Sequence, residues 1–354
     1  MKPWIIYGAN GYTGRLIARE AVDRGLQPVL AGRNRQAVAS LASELSLEHR
    51  VFDLDDPEAT REGVRGMALV LHCAGPFSRT SKPMVDACLA ERVHYLDITG
   101  EITVFQACHE RHSEAREAGV VLFPGTGFDV VPTDCLAAML ARSLPDAVSL
   151  VLAFEAGGGP SPGTAKTSVE GLIQGGRVRR DGKIRSVPLA WKTRDIPFSD
   201  GPRHAMTIPW GDVYTAHVST GIPDVEVFMA VPPATSKRLR KLRKFHWLLG
   251  LKPVGALLAR RVGRQTRGPD ESRRQSSGSK IWGQASNAAG RTVTGEIRGP
   301  NGYDLTADAA VTIVCKILDS SPEPGFQTPS KLLGADFVTE LKGVSARVSP
   351  GEQA

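Results

Sequence analysis

Short apolar runs alternate with amphipathic stretches through the first 140 residues. Trp4–Tyr7, Pro28–Gly32, Arg50–Asp53, Ala68–Cys73, Val93–Ile98 and Val120–Phe123 show little polar alternation, the pattern of strands buried on both faces. Between them, Arg15–Arg24 and Gln36–Glu44 carry apolar residues at helical spacing, and Gly25 stands where a helix would end. Strand and helix in alternation predict a doubly wound α/β domain with a parallel sheet.

Near residue 145 the pattern changes. Ser149–Glu155, Asp224–Val231 and Arg291–Gly299 alternate in the manner of half-buried strands, with few helices between them. They predict a second α+β domain with a mainly antiparallel sheet. The expected division is 1–140 and 141–303. Leu305–Leu318 and Pro329–Leu341 have helical periodicity, and the last dozen residues are expected to fray.

Composition narrows the class. The 354 residues, 41% hydrophobic and 23% charged, suit a soluble globular protein. No run of eighteen apolar residues is present to span a membrane. Met1-Lys2-Pro3 leads straight into an apolar strand without a signal peptide, so a cytoplasmic protein is expected. Cys73, Cys88, Cys108, Cys135 and Cys315 form no C-x-x-C pair, as for reduced thiols. The formal charge of +7 is local: residues 236–280 hold fourteen Lys/Arg against two Asp/Glu, a balance of +12, so the rest sums to −5.

Gly8, Gly11 and Gly14 follow the first strand at once and open the first helix. A G-x-x-G-x-x-G turn in that context makes a Rossmann-like nucleotide site. One glycine permits the tight turn, another lets backbone N–H groups reach a pyrophosphate, and the third lets helix and strand close up. The positive end of the helix then faces the phosphates. Asn10, Tyr12 and Thr13 belong to the same candidate site. At the end of the second strand an acidic residue would hold a ribose 2′-OH, whereas arginine holds a 2′-phosphate. Here the strand ends Gly32-Arg33-Asn34, with no carboxylate before Glu44, which points to NADP(H). Asp53 is either an adenine contact or an ordinary loop cap.

Later strand ends supply further candidates. Ala74, Gly75 and Pro76 follow the fourth strand, where small residues let backbone approach a nicotinamide ribose. Tyr95, Asp97 and Asp129 are candidate catalytic groups at the ends of the fifth and sixth strands, and Glu101 a candidate substrate contact. Asp129 and Asp134 also read as caps of the following helix, the favoured reading for Asp134. Gly157–Thr164 precedes a helix at Ala165–Gln174, so its N–H groups could seat an anion or an enolate oxygen. Ser161, Thr164, Lys166 and Ser168 are the candidate substrate contacts there, and a flexible hairpin connection is an equal alternative. Cys108, His109 and His112 lack a further ligand, so no metal is expected.

Gly-Ala-Asn-Gly-Tyr-Thr-Gly at 8–14, Ala-Gly-Arg at 31–33, Ala-Gly-Pro-Phe at 74–77, Tyr-Leu-Asp-Ile-Thr-Gly-Glu at 95–101 and Gly-Phe-Asp-Val-Val-Pro at 127–132 resemble the saccharopine dehydrogenase-like oxidoreductases. Within them the chain is most similar to the trans-acting enoyl reductase branch. Gly-Gly-Gly-Pro-Ser-Pro-Gly-Thr at 157–164, Gly302-Tyr303 and Phe326-Gln327-Thr328-Pro329 extend the likeness over nearly the whole chain. The resemblance implies NADP(H), a Rossmann-like domain, a mixed second domain for substrate or dimerisation, and C-terminal helices over about 304–345 that return to the first domain. No arginine set for a substrate with several carboxylates is identified, unlike true saccharopine dehydrogenases.

Three functions are compatible with these residues. One is an NADPH-dependent reductase of an acyl or lipid-like substrate, an enoyl thioester foremost. The second is an imine or amino-acid oxidoreductase of the saccharopine dehydrogenase type. The third is a non-catalytic NADP-binding protein held at the inner face of a membrane by its basic segment. In that segment Phe245–Leu251 and Val254–Ala259 alternate with Lys/Arg clusters. This fits an anionic membrane surface, an acidic acyl carrier protein, or a core helix with a solvated edge. No nucleic-acid module accompanies the charge, and a homodimer stays open.

Overall fold

Six parallel strands organise the N-terminal part: β1 (Trp4–Tyr7), β2 (Val29–Gly32), β3 (His49–Val51), β4 (Leu69–His72), β5 (His94–Asp97) and β6 (Val121–Phe123). The computed structural model describes residues 2–243, 261–262 and 265–350. It divides into one unit of residues 1–131 and 303–332 and another of 132–302 and 333–354. The sheet of the first unit runs β6-β5-β4-β1-β2-β3, and a two-residue strand, Gly325–Phe326, pairs in parallel outside β6. Tyr7 pairs with both Ala31 and His72, and His72 with Asp97, so these strands finish along one edge. Strand order reverses between β1 and β4, where a crevice outside the carboxyl ends receives ligands in such sheets.

The central strands are buried without alternation, as their apolar runs require. Among the helices are α1 (Tyr12–Asp23), α2 (Arg35–Leu45), α3 (Pro57–Val64), α4 (Phe77–Glu91), α5 (Ile102–Glu110) and α6 (His112–Ala118). The helix Gly302–Asp319 also belongs to this unit. Arg24, just past α1, pairs with Asp308 of that helix and donates to Thr312 Oγ1 at 2.8 Å.

The second unit begins with α7 (Val131–Ser143) and β7 (Ala147–Ala156). It continues with α8 (Pro162–Gln174), β8 (Gly176–Arg180), β9 (Lys183–Val187), β10 (Thr193–Phe198), β11 (Gly201–Thr207), α9 (Asp212–Thr220), β12 (Asp224–Ala230) and α10 (Pro233–Leu242). After these come β13 (Ser279–Asn287) and β14 (Thr292–Gly299); with Gly325–Phe326 counted as β15, the last is β16 (Ser345–Pro350). The sheet order is β10-β11-β12-β7-β13-β14-β16, antiparallel except for β7 with β12, and β8–β9 is a hairpin beside β12. One face packs on α7. Methyl groups at Gly283 or Gly295 would run into Leu140 or Leu136, so glycine lets that helix lie close. On the other face Ala153, Ile196, Phe198, Ala205, Phe228 and Trp282 form an apolar cluster. The tip of the β10–β11 hairpin is latched to it: Ser199 donates from N and Oγ to Glu296 (2.8 and 2.6 Å), and Asp200 pairs with Lys280.

Several expectations need correction. The division falls at 131/132 rather than 140/141, and 333–354 belongs to the second unit, so only part of 304–345 returns to the first. The helix expected over 329–341 is Pro329–Leu333 followed by a 3₁₀ turn, Ala335–Glu340, because Gly334 turns to φ +89° between them. The expected frayed end instead supplies β16, whose Ser345–Pro350 pairs with Arg298–Val293 of β14. Among the described residues no helix is long and apolar enough to cross a membrane.

Candidate nucleotide-binding site

The turn after β1 has the geometry its glycines predict. Gly8 takes φ +82°, and a Cβ there would lie 2.8 Å from both Cβ and N of Ala74. Its N–H and that of Ala9 donate to Ala31 O (2.8 and 3.1 Å), tying the turn to β2. A Cβ at Gly14 would overlap the Gly8 carbonyl oxygen, so only glycine lets α1 start this close to the strand. Gly11 caps α1 without a side chain, and no acidic residue stands in the first turn. Tyr12 sets its ring edge-on to Tyr303 at 4.9 Å, and Thr13 is half-buried beside it. Asn10 lays Oδ1 against Gly32, where a Cβ would come within 3.0 Å. A bare, positively polarised helix end behind a turn of small residues fits a pyrophosphate.

At the end of β2, Arg33 and Arg35 are exposed. Among the described residues neither guanidinium has a hydrogen bond or ion pair, so Arg33 is available to a 2′-phosphate. Asn34, expected as a cofactor contact, is exposed and also has a structural role. Its side chain caps α2, accepting from Ala37 N at 3.0 Å. Asp53 follows the loop-cap alternative, with Oδ1 accepting from Asp55 N at 3.2 Å.

Beyond β4, Ala74-Gly75-Pro76 turns through a cis Gly75–Pro76 bond into α4. Thr80 Oγ1 (2.6 Å) and His72 Nε2 (3.2 Å) both donate to Ala74 O, fixing the turn beside Gly8. His72 escaped the sequence reading because it ends an apolar run with no motif around it. It is fully buried among the rings of Tyr7, Phe77 and Tyr95, and its Nδ1 has no hydrogen-bond partner among the described residues. Burial lowers its pKa to about 4. The neutral form is therefore built in, and its contribution to stability is complete above the unfolded value near 6.5 and lost as pH falls towards 4. Urea midpoints at pH 6.5 and 4.5 should show wild type losing roughly 2 kcal/mol more than His72→Gln. Equal losses would remove His72 as the source.

The two candidate catalytic groups on β5 have structural work instead. Tyr95 is fully buried and donates to Asp97 Oδ2 at 2.6 Å. Asp97 Oδ1 accepts from Thr99 N and Gly125 N, both at 2.9 Å, and its carbonyl oxygen accepts from Thr126 N and Oγ1. Burial raises the Asp97 pKa to about 7 against the pull of these donors. Asp97 stitches β5 to the loop after β6, and neither side chain is open to a substrate. Glu101 likewise departs from its expected substrate role: its carboxylate accepts from Phe77 N and Ser78 N, both at 2.8 Å, at the start of α4.

Asp129 differs from these. It follows Gly127, whose Cβ would collide with Thr306 of the helix Gly302–Asp319, while Phe128 N donates to Thr306 Oγ1 at 3.0 Å. Its residue keeps some surface open, yet its carboxyl is enclosed enough for desolvation to raise the pKa to about 7. The Glu101 charge adds to the rise. A carboxyl half-protonated near neutrality at the end of β6 can exchange a proton.

The remaining candidates lie in the second unit. Ser161 caps α8, accepting from Thr164 N at 3.2 Å, and its Oγ lies 3.0 Å from Thr164 Oγ1. Ser168 Oγ donates to Thr164 O at 2.8 Å, and Lys166 is exposed. Ser161 caps the helix, Thr164 Oγ1 lies against that cap and Ser168 bonds back to the preceding turn, so each hydroxyl expected as a substrate contact has a partner within α8 and its cap. Asp134 sits in the first turn of α7 and accepts from Ser219 Oγ at 2.6 Å. His109 stacks on Phe326 at 4.6 Å and His112 Nδ1 accepts from Phe326 N, so both support the edge strand of the first unit. Of the basic segment, Arg240 and Arg243 of α10 and its end donate to carbonyl oxygens of Ala190 and Leu189 (3.3 and 2.6 Å). Phe245–Leu251 and Val254–Ala259 lie outside the described residues.

Residues 4–123 match the family model described as the saccharopine dehydrogenase NADP binding domain. A saccharopine dehydrogenase-like oxidoreductase of Rattus norvegicus is 26% identical over 211 residues, covering 52% of this chain and 48% of that protein. A candidate trans-acting enoyl reductase of Mycobacterium tuberculosis is 29% identical over 184 residues, 48% of this chain and 43% of that protein. The chain thus spans about half the length of these curated relatives. The apo saccharopine dehydrogenase (L-Glu forming) of Saccharomyces cerevisiae covers 99% of this chain and 100% of its own, with a TM-score of 0.66 and 12% identity, a likeness of fold alone.

Proposed function

We propose that this chain, whose residues 4–123 match the saccharopine dehydrogenase NADP binding domain, is an NADPH-dependent oxidoreductase that reduces an acyl or lipid-like substrate, an enoyl thioester foremost. The glycine turn at 8–14 holds the pyrophosphate and Arg33 the 2′-phosphate. NADPH, when bound, supplies the hydride. Asp129 carries the reading: it keeps some surface open where Tyr95 and Asp97 have none, and it packs on Gly100 just past β5, which ends on the same sheet edge as the strand before the nucleotide turn. Reduction of a conjugated thioester at its β-carbon leaves negative charge that a proton at the α-carbon must discharge. Asp129 donates that proton. The 29% identical mycobacterial relative, named for enoyl reduction, favours this substrate class.

Loss of NADPH absorbance with a panel of enoyl thioesters, and separately with oxo-acid and amine pairs, tests the proposal. Turnover is expected with the thioesters. Turnover only with the oxo-acid and amine pairs would replace the substrate by an imine. Tight NADPH binding without turnover on either would leave a non-catalytic binder.

A further inference from the structure

Glu101 touches two parts of the first unit that the sequence keeps well apart. It ends the turn after β5, where its N–H donates to Thr99 Oγ1 at 3.0 Å, and α5 begins at the next residue. Its side chain leaves α5 and reaches the start of α4. There Oε1 accepts from Phe77 N and Oε2 from Ser78 N, 2.8 Å each. The first turn of a helix leaves such N–H groups without intrahelical partners, and Pro76, the residue before α4, supplies no capping side chain. A carboxylate is also the charge that this helix end favours. The capped residues continue directly from Ala74-Gly75-Pro76, and Ala74 is the residue against which Gly8 packs.

On its other flank, the backbone carrying Glu101 meets Asp129. A methyl at Gly100 would lie 3.0 Å from Asp129 Oδ2 and 3.3 Å from its Cβ. We propose that Glu101 is a positioning residue: its carboxylate fixes the Ala74–Ser78 turn beside the nucleotide loop, and its charge, carried on backbone packed against Asp129, acts on that carboxyl. The proposal rests on Asp129 being the proton donor, and it gives that donor its control. Desolvation is the main cause of the raised Asp129 pKa, and Glu101 is the charge that adds to it. Asp97, the other carboxylate on β5, is turned towards Tyr95, Thr99 and Gly125.

The two roles separate by substitution. Glu101→Gln removes the charge and sets an amide NH₂ against one of the two N–H groups. Glu101→Asp keeps the charge on a shorter arm. Titration of the Asp129 carboxyl by carbon NMR in the full chain, assigned with Asp129→Asn, reads the first role. NADPH affinity by fluorescence reads the second. In Glu101→Gln the titration midpoint should fall and NADPH should bind roughly fivefold more weakly. Glu101→Asp should keep the midpoint and still weaken NADPH, which preserves the test if the glutamine variant does not fold. Glu114→Gln, at an exposed carboxylate paired with Arg111, should move neither. An unmoved midpoint and unchanged affinity, with only a lower melting temperature, would reduce Glu101 to a helix cap and overturn the proposal. Retained turnover in Asp129→Asn would remove the proton donor instead, while the carboxyl titration still reports on Glu101.

Discussion

Arg33→Asp should weaken NADPH binding by about 100-fold and raise the relative affinity for NADH. A bidentate guanidinium–phosphate pair is worth roughly 1.5–3 kcal/mol, and a carboxylate in its place adds repulsion of the 2′-phosphate. A hundredfold change corresponds to about 2.7 kcal/mol, within that range. The ribose 2′-OH of NADH gains an acceptor from the same substitution. Arg33 has no hydrogen bond or ion pair among the described residues, so its loss should change folding stability by less than about 0.5 kcal/mol. Fluorescence titrations with both dinucleotides, beside a thermal melt, measure each quantity. An undiminished preference for NADPH would take Arg33 out of the 2′-phosphate site, and Arg35, exposed as the first residue of α2, would be the next to substitute.

Arg33 and the glycine turn were legible because each is a local motif whose meaning depends only on the strand before it. The parallel sheet was legible for a related reason. Strands buried on both faces must be apolar throughout, so β1, β4 and β6 stand out from any window around them. The second unit hid most of its strands. Arg177-Val178-Arg179-Arg180 and Lys183-Ile184-Arg185 look like a basic surface loop, yet Asp181 (φ 50°) and Gly182 (φ 71°) between them make the left-handed two-residue turn of a tight hairpin. The next hairpin turns differently, through Ser199 and Asp200, with Gly201 (φ 116°) already paired with Phe198. Both Asp-Gly pairs were available as turn signals. β13 is harder to see, because Gly283 interrupts it for the sake of α7.

Side-chain roles at the strand ends were not legible, and for a different reason. Tyr95, Asp97, Glu101 and Asp129 are equally polar residues in equally suggestive places. What separates them is a partner far off in sequence: Gly125 for Asp97, and Phe77 and Ser78 for Glu101. A carboxylate that accepts two backbone N–H groups across the fold carries the same local pattern as one facing a ligand. Asp97 and Asp129 are both desolvated, and what sets Asp129 apart is the surface it keeps open, which is a property of the packed state.

Asp129→Asn should lower kcat by about 10²–10⁴-fold, the usual loss when a general acid is removed. The pH dependence follows from its protonation. Asp129 must hold its proton in order to donate it, so wild-type kcat should fall as pH rises through about 7, while the variant should be low and flat across the same range. Stability should move in the same direction with pH. The folded-state pKa lies above the ordinary value of 3.8, so the group favours folding fully at low pH, and that contribution is lost as pH rises through 7. At pH 8 the wild type carries a desolvated carboxylate that asparagine does not, so the variant should melt at the same temperature or higher. Below about pH 4 the difference should close. Lost turnover together with undiminished stability at pH 8 marks a residue retained for chemistry at some cost to the fold. A kcat within about threefold of wild type would assign the proton to water and reduce Asp129 to packing against Gly100.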